Sequence, residues 1–171
     1  MKKALIVIDM QNDFVDGALG SGQARAIVPA VRAKIAEYAG RGDLIIFTRD
    51  THTANYLQTQ EGRNLPVEHC IAGTRGWEIY DGLDNEGCLY IDKPSFGWCG
   101  WTYPLDGAEI ELVGLCTGIC VVSNALILKA AYPEAVITVD ASCCACVSEE
   151  SHRAALLTMR MCQVNVINDN S

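Results

Sequence analysis

The chain is 171 residues long, with half of its residues hydrophobic and a fifth charged, which supplies one ordinary globular domain with a sizeable core and excludes a disordered chain. Lys and Arg number 13 against 21 Asp and Glu, a net charge of −8. An acidic surface repels phosphate backbones and anionic lipid, so neither nucleic acid nor a membrane is the expected partner; a small neutral substrate is untouched by that argument.

No apolar run approaches the roughly 20 residues of a membrane span. The run from Ala4 to Ile8 ends at Asp9, too short for the core of a secretory leader. Nine cysteines stand at positions 70, 88, 99, 116, 120, 143, 144, 146 and 162. Their number is odd and several fall inside strand-like or helix-like segments, so reduced thiols are expected in place of a disulfide scaffold. The expectation is one cytoplasmic, soluble domain spanning residues 1–171.

Leu5 to Ile8 reads as a buried strand. Val28, Val31, Ile35 and Tyr38 recur at helical spacing, with Pro29 suited to the first turn and Gly40 to the stop. Leu44 to Phe47 is a second strand, ending at Thr48-Arg49-Asp50. From Asp50 to about Gly87 no regular period persists, which is long for a compact domain and points to function. Cys88 to Ile91 reads as a third strand and Ile110 to Leu115 as a fourth. A helix follows from about Gly118 to Ala131, then a strand from Ala135 to Val139. Ser148 is the expected N-cap of a last helix, where Glu149 and Glu150 suit the positive end of the dipole. His152, Ala155, Leu156 and Met159 share one face of it, and Val164 to Ile167 is the sixth strand. Strands alternating with helices, and apolar without alternation, indicate an α/β fold with a six-stranded parallel sheet covered on both faces.

In such a sheet, ligands bind beyond the carboxyl ends of the strands. Asp9, Asp50 with His52, Lys93, and Cys116 to Cys120 all fall there. A thiol in the first turn of a helix gains from the helix dipole, an ammonium nearby favours the thiolate, and a carboxylate can take its proton. Each residue alone has a plainer reading, as a cap, a solvated lysine or a buried thiol. Asp50 and His52 alternate onto one side of an extended segment. With Glu61 and His69 they form a set suited to Zn²⁺, Mn²⁺ or Fe²⁺; the plainer reading is a polar loop facing solvent. His152 reads as a satisfied core histidine, and Cys143-Cys144-Ala145-Cys146 as buried or partly exposed thiols.

The segments Val7-Ile-Asp9-Met-Gln-Asn-Asp-Phe14, Thr48-Arg-Asp50-Thr-His52, Glu68-His69-Cys70, Asp92-Lys93-Pro94 and Gly114-Leu-Cys-Thr-Gly-Ile-Cys120-Val resemble, in order, the isochorismatase-like cysteine hydrolases. Within them the metal-binding nicotinamidases look most similar. The resemblance implies an isochorismatase-like three-layer sandwich and an Asp-Lys-Cys triad at Asp9, Lys93 and Cys120. It further implies a cis peptide before Cys116, an oxyanion hole from the backbone N–H groups of Cys116 and Cys120, and metal ligands at Asp50, His52, Glu61 and His69. Phe14 matches a residue that walls the substrate pocket. The implied reaction is hydrolysis of nicotinamide to nicotinate and ammonia, with one divalent ion, Zn²⁺ first, orienting the pyridine ring.

Two departures bear on the substrate. Gly118 stands where the family usually has an acid two residues before the nucleophile. Leu65-Pro-Val-Glu-His69-Cys70 replaces a W-P-P-H-C pattern, leaving Trp77, Trp98 or Trp101 as candidates for a missing pocket aromatic. The alternatives are a related hydrolase of another small amide, carbamoyl or ureido compound, and a non-catalytic binding protein on the same fold. The expected partner is a small amide, and self-association into a homo-oligomer stays open.

Overall fold

The structure is a computed structural model that describes residues 2–84 and 86–169. Its frame is a six-stranded sheet in the order β3-β2-β1-β4-β5-β6, with every pairing parallel. The strands are β1 (Lys3–Ile8), β2 (Leu44–Asp50), β3 (Leu89–Lys93), β4 (Glu109–Leu115), β5 (Val136–Ala145) and β6 (Asn165–Ile167). The helices are α1 (Asn12–Val15), α2 (Gly22–Arg41), α3 (Gln60–Asn64), α4 (Val122–Ala131) and α5 (Glu149–Met161). Among the described residues, no helix is long and apolar enough to cross a membrane.

The unbroken apolar run of β1 follows from burial on both faces. Ala4, Ile6 and Ile8 enter one core with Val121, Ala125 and Leu128 and with Leu156 and Met159 of α5. Leu5 and Val7 enter the other, beneath Val28, Val31 and Ile35 of α2. From β1 the chain winds to one side through β2 and β3, then returns to the other side as β4. The gap between β1 and β4 is therefore the point where the winding reverses, and the sheet opens a crevice at the carboxyl ends of these strands. Gly114 is required there: its φ is +116°, and a Cβ would stand 2.1 Å from the Ile8 carbonyl oxygen.

Several boundaries differ from the sequence reading. Helix α2 starts six residues before Val28, at Gly22, because the Ser21 side chain accepts the Ala24 N–H and caps it. Pro29 lies inside the helix, and the stop is Gly42 at φ +70° in place of Gly40. One missing backbone donor is outweighed by a buried face extending from Ala24 to Tyr38. Strand β5 continues past Val139 through Cys143 and Cys144 to Ala145. The helix expected from Gly118 begins as a wide turn of π type, Thr117–Val121, ahead of α4. Ser148 caps α5 as expected, reinforced by Ser151. Among the described residues of 51–87 there are only short elements: α3 and single turns at Tyr56–Gln58 and Arg75–Trp77.

Candidate active site

Three strand ends bring Asp9, Lys93 and Cys120 together. Asp9 follows β1 with φ +47°; its Oδ1 accepts the Thr48 hydroxyl at 2.6 Å and its N–H donates to the Thr48 carbonyl at 3.2 Å. Lys93 closes β3, and its Nζ lies 2.6 Å from Asp9 Oδ2, 3.4 Å from Asp50 Oδ1 and 3.5 Å from Cys120 Sγ, with a further bond to the Ser95 carbonyl at 3.1 Å. Asp9 and Lys93 are both 0% exposed. Asp9 Oδ2 is buried, with the Lys93 ammonium as its close neighbour. The Cys120 thiol lies within its reach.

Burial pushes the Asp9 carboxyl up, against the pull of Lys93. Burial also pushes the Cys120 thiol well up, and the Asp9 charge adds to this while Lys93 opposes it. Burial alone would discharge Lys93, but Asp9, Cys120 and Asp50 outweigh it and hold the ammonium charged. A basic carboxylate therefore faces a thiol whose ionisation depends on a single cation.

The second constellation is contiguous with the first through Asp50. Its Oδ1 faces Lys93, while its Oδ2 lies 2.8 Å from His52 Nε2 and 3.5 Å from His69 Nε2. Glu61 Oε1 is 3.6 Å from His52 Nε2 and 4.0 Å from His69 Nε2. Ligand atoms of these four residues lie within 4.8 Å of one another. His52 Nε2 is buried without a hydrogen-bond partner, despite its closeness to Asp50; nitrogen and carboxylate converge on shared space without bonding each other. His69 Nδ1–H donates to the Val67 carbonyl at 2.7 Å, which leaves Nε2 as the free lone pair. Burial and the Asp50 charge push the Glu61 carboxyl up. Two crowded anions and two imidazole lone pairs directed at one point fit a divalent cation.

The polar residues after β1 explain how these ligands are held. Gln11 Oε1 accepts the Asp50 N–H at 2.7 Å, and its Nε2 donates to the carbonyls of Asp50 at 2.9 Å and Trp77 at 2.8 Å. Asp13 Oδ2 accepts the Cys70 N–H at 2.8 Å, fixing the residue after His69. Tyr56 packs on both imidazoles, with ring centroids 4.6 and 4.9 Å away, and anchors its hydroxyl on the Leu65 carbonyl. Sequence reading assigned no part to Gln11, Asp13 or Tyr56.

Cys120 of the first constellation and Asp50, Glu61 and His69 of the second line one cavity of about 280 Å³, together with Cys116 and with Phe14, Leu19, Leu65, Phe96, Ile119 and Val147 as its apolar wall. Phe14 also packs against the His69 ring at 5.5 Å. None of the candidate tryptophans lines this cavity. Trp77 stacks under Arg49 and donates to the Thr51 hydroxyl, whereas Trp98 and Trp101 pack on the core behind α4. The second pocket aromatic is Phe96, which sequence reading missed; its nearness to Lys93 was the available signal.

The Leu115–Cys116 peptide is cis, as the resemblance implied. Beyond it, the Cys116 carbonyl accepts the N–H groups of Ile119 and Val121, so the chain wraps tightly round to Cys120. Gly118, in place of an acid, donates its N–H to Cys146 Sγ at 3.3 Å, and Ser151 donates to the same sulfur at 3.2 Å. His152 is half-buried and bonded to the Thr117 hydroxyl at 2.8 Å. All nine cysteines are free, and Cys143, Cys144 and Cys146 are buried, as read from the sequence.

The Isochorismatase domain family matches residues 3–171. Over 143 residues the chain is 33% identical to an uncharacterized isochorismatase family protein of Bacillus subtilis, covering 74% of this chain and 78% of that one. It is 26% identical to the nicotinamidase/pyrazinamidase of Mycobacterium tuberculosis, over 96% of this chain and 98% of the other. Among solved structures, the pyrazinamidase of Pyrococcus horikoshii in complex with zinc superposes with a TM-score of 0.83 at 26% identity, over 99% of this chain and 100% of that chain. Fold, site geometry and a family match along nearly the whole chain agree: the protein belongs to the isochorismatase family of hydrolases.

Proposed function

We propose that this protein is a metal-dependent nicotinamidase, hydrolysing nicotinamide to nicotinate and ammonia. The observation that carries the reading is that one small cavity is lined at once by Cys120 of a Cys-Lys-Asp cluster and by Asp50, Glu61 and His69 of a four-residue metal-ligand set, the two groups being joined through the two oxygens of Asp50. At about 280 Å³ the cavity suits a single ring with one substituent, at the small end of ligand pockets.

Asp50, His52, Glu61 and His69 would hold one divalent ion, Zn²⁺ first and Mn²⁺ or Fe²⁺ otherwise. When bound, it supplies a Lewis-acidic point for a ring nitrogen and so orients the amide. Phe14 and Phe96 flank the ring. Asp9 takes the Cys120 proton, and the thiolate attacks the carboxamide carbon, with Lys93 stabilising the charge on sulfur. The backbone N–H groups of Cys116 and Cys120 receive the oxyanion. Collapse of the adduct breaks the C–N bond, Asp9 returns its proton to the departing nitrogen, and ammonia leaves a thioester on Cys120. Asp9 then takes a proton from water, hydroxide adds to the thioester, and nicotinate departs as the thiol is restored.

A carbamoyl or ureido acid is the competing substrate class. Its carboxylate would enter beside Asp50 and Glu61, with Lys93 already shared between Asp9 and Asp50, so a neutral aromatic amide is the better match. We assign the protein to the cytoplasm, acting on a diffusible small amide without a nucleic-acid or membrane partner, and self-association into a homo-oligomer is part of the same proposal. The test is ammonia release from nicotinamide by the purified protein, before and after chelation, with one metal restored at a time. Release that stops on chelation and returns with metal supports the reading. No release with any metal, while Cys120 still reacts with a thiol reagent, refutes it and moves the substrate to another small amide.

A further inference from the structure

A fully buried amide beside the nucleophile takes no part in the chemistry above. Asn124 lies four residues after Cys120, in the first turn of α4, at 0% exposure. Its Nδ2 donates to the carbonyls of Cys120 at 2.8 Å and Phe96 at 3.1 Å, and its Oδ1 accepts the Trp98 N–H at 3.0 Å. Both donors of the amide are thus used, together with an acceptor position. Two of the three bonds leave the helix and hold the loop 94–98, which begins at once after Lys93.

This loop needs holding. Phe96 carries it into the cavity wall yet is 44% exposed, so packing secures only part of the ring. Gly97 allows the loop to lie directly on α4, because a Cβ there would stand 2.4 Å from Ile127 Cδ1. At the other end, Lys93 Nζ donates to the Ser95 carbonyl at 3.1 Å. The loop is therefore tied at Ser95, Phe96 and Trp98, and two of those ties belong to Asn124.

We propose that Asn124 is a positioning residue which, by clamping the loop 94–98 to the helix of the nucleophile, fixes Phe96 as a wall for the substrate ring and so governs KM. The kinetic part of this inference rests on the nicotinamidase reading; the clamp itself does not.

Two variants separate the clamp from general stability. Asn124→Ala removes all three bonds and risks the fold, because three backbone groups lose their partner. Asn124→Ser keeps a hydroxyl able to reach back to the carbonyl four residues earlier, that of Cys120, while losing both loop bonds. Hydrogen–deuterium exchange, iodoacetamide labelling of Cys120 and nicotinamide kinetics are then compared in wild type, N124S, F96A and the double variant. In N124S the Trp98 amide is expected to lose protection while Cys120 labels at the wild-type rate. KM for nicotinamide is expected to rise roughly ten-fold with kcat within about two-fold, a loss of ground-state and transition-state binding alike. N124S should add little to F96A, since both act through one ring. A protected Trp98 amide in N124S, an unchanged KM with the loop released, or additive effects in the double variant would each overturn the proposal. Should the wild type release no ammonia from nicotinamide, the functional reading fails, and the clamp is judged on Trp98 exchange and Cys120 labelling.

Discussion

Replacing Lys93 by methionine keeps a side chain of similar length and removes one charge that four groups share. The ammonium lies 2.6 Å from Asp9, 3.4 Å from Asp50 and 3.5 Å from the Cys120 sulfur, and donates to the Ser95 carbonyl. Breaking a buried ion pair by deleting one partner costs about 3–5 kcal/mol. For a chain of this size, 1 kcal/mol corresponds to roughly 2–4 °C, so Tm at pH 7 is expected to fall by about 6–20 °C. The sign with pH follows from Asp9, whose carboxyl burial already pushes up. A carboxyl raised in the folded state favours folding while protonated and loses that contribution as pH rises. The Tm gap between wild type and K93M should therefore narrow from pH 7 towards pH 4. The chemistry should change too: at 3.5 Å and an effective dielectric of about 20, the attraction between ammonium and thiolate is about 5 kcal/mol. Loss of even half of it would slow Cys120 alkylation at pH 7 by about sixty-fold. Thermal melts followed by differential scanning calorimetry and iodoacetamide labelling read by mass spectrometry measure the two effects. A K93M protein that melts within a degree or so of wild type and labels at the same rate would refute this account of Lys93.

Cys120→Ala should abolish ammonia release while Tm shifts little, since one small buried sulfur is lost; turnover at the wild-type rate would end the thiol mechanism. His52→Ala should lose bound metal, measured by elemental analysis after dialysis, and raise KM for nicotinamide with Cys120 labelling preserved; unchanged metal content would remove His52 from the ligand set. Burial holds the thiols of Cys116 and Cys143 up to about 12 and about 11, and that of Cys120 well up. An unfolded thiol ionises near 8.5, so above that pH the unfolded chain sheds protons that the folded chain retains, and stability falls. The urea midpoint of the reduced protein should therefore drop steadily from pH 8 to pH 10.5, and a flat midpoint would contradict the burial argument. Gly114→Ala should destabilise strongly, since its Cβ would meet the Ile8 carbonyl at 2.1 Å and its φ is +116°; wild-type thermal stability in that variant would refute the claimed close approach of β1 and β4.

The sequence alone determined the α/β class and the existence of all six strands. A strand buried on both faces must be apolar at every position, and such runs stand out without any knowledge of their neighbours. The same logic placed Asp9, Asp50, Lys93 and Cys120 at strand ends, because the polar residue that ends an apolar run is visible in one dimension. Boundaries set by tertiary contact escaped it. Helix α2 runs through Pro29 because its buried face outweighs one lost hydrogen bond, and β5 continues to Cys144 and Ala145 because these pair with Gly114 and Leu115 of β4. Only the folded structure brought Asp50 between Lys93 and the imidazoles, seated Phe96 in the cavity wall and excluded the tryptophans from it. Gln11, Tyr56 and Asn124 likewise became legible only there. Each acts by hydrogen bonds or ring contacts whose partners the strand crossovers bring together, and hydrophobic periodicity carries no information about such pairs. What joins them is the winding reversal between β1 and β4, where side chains far apart in the chain share one small buried space.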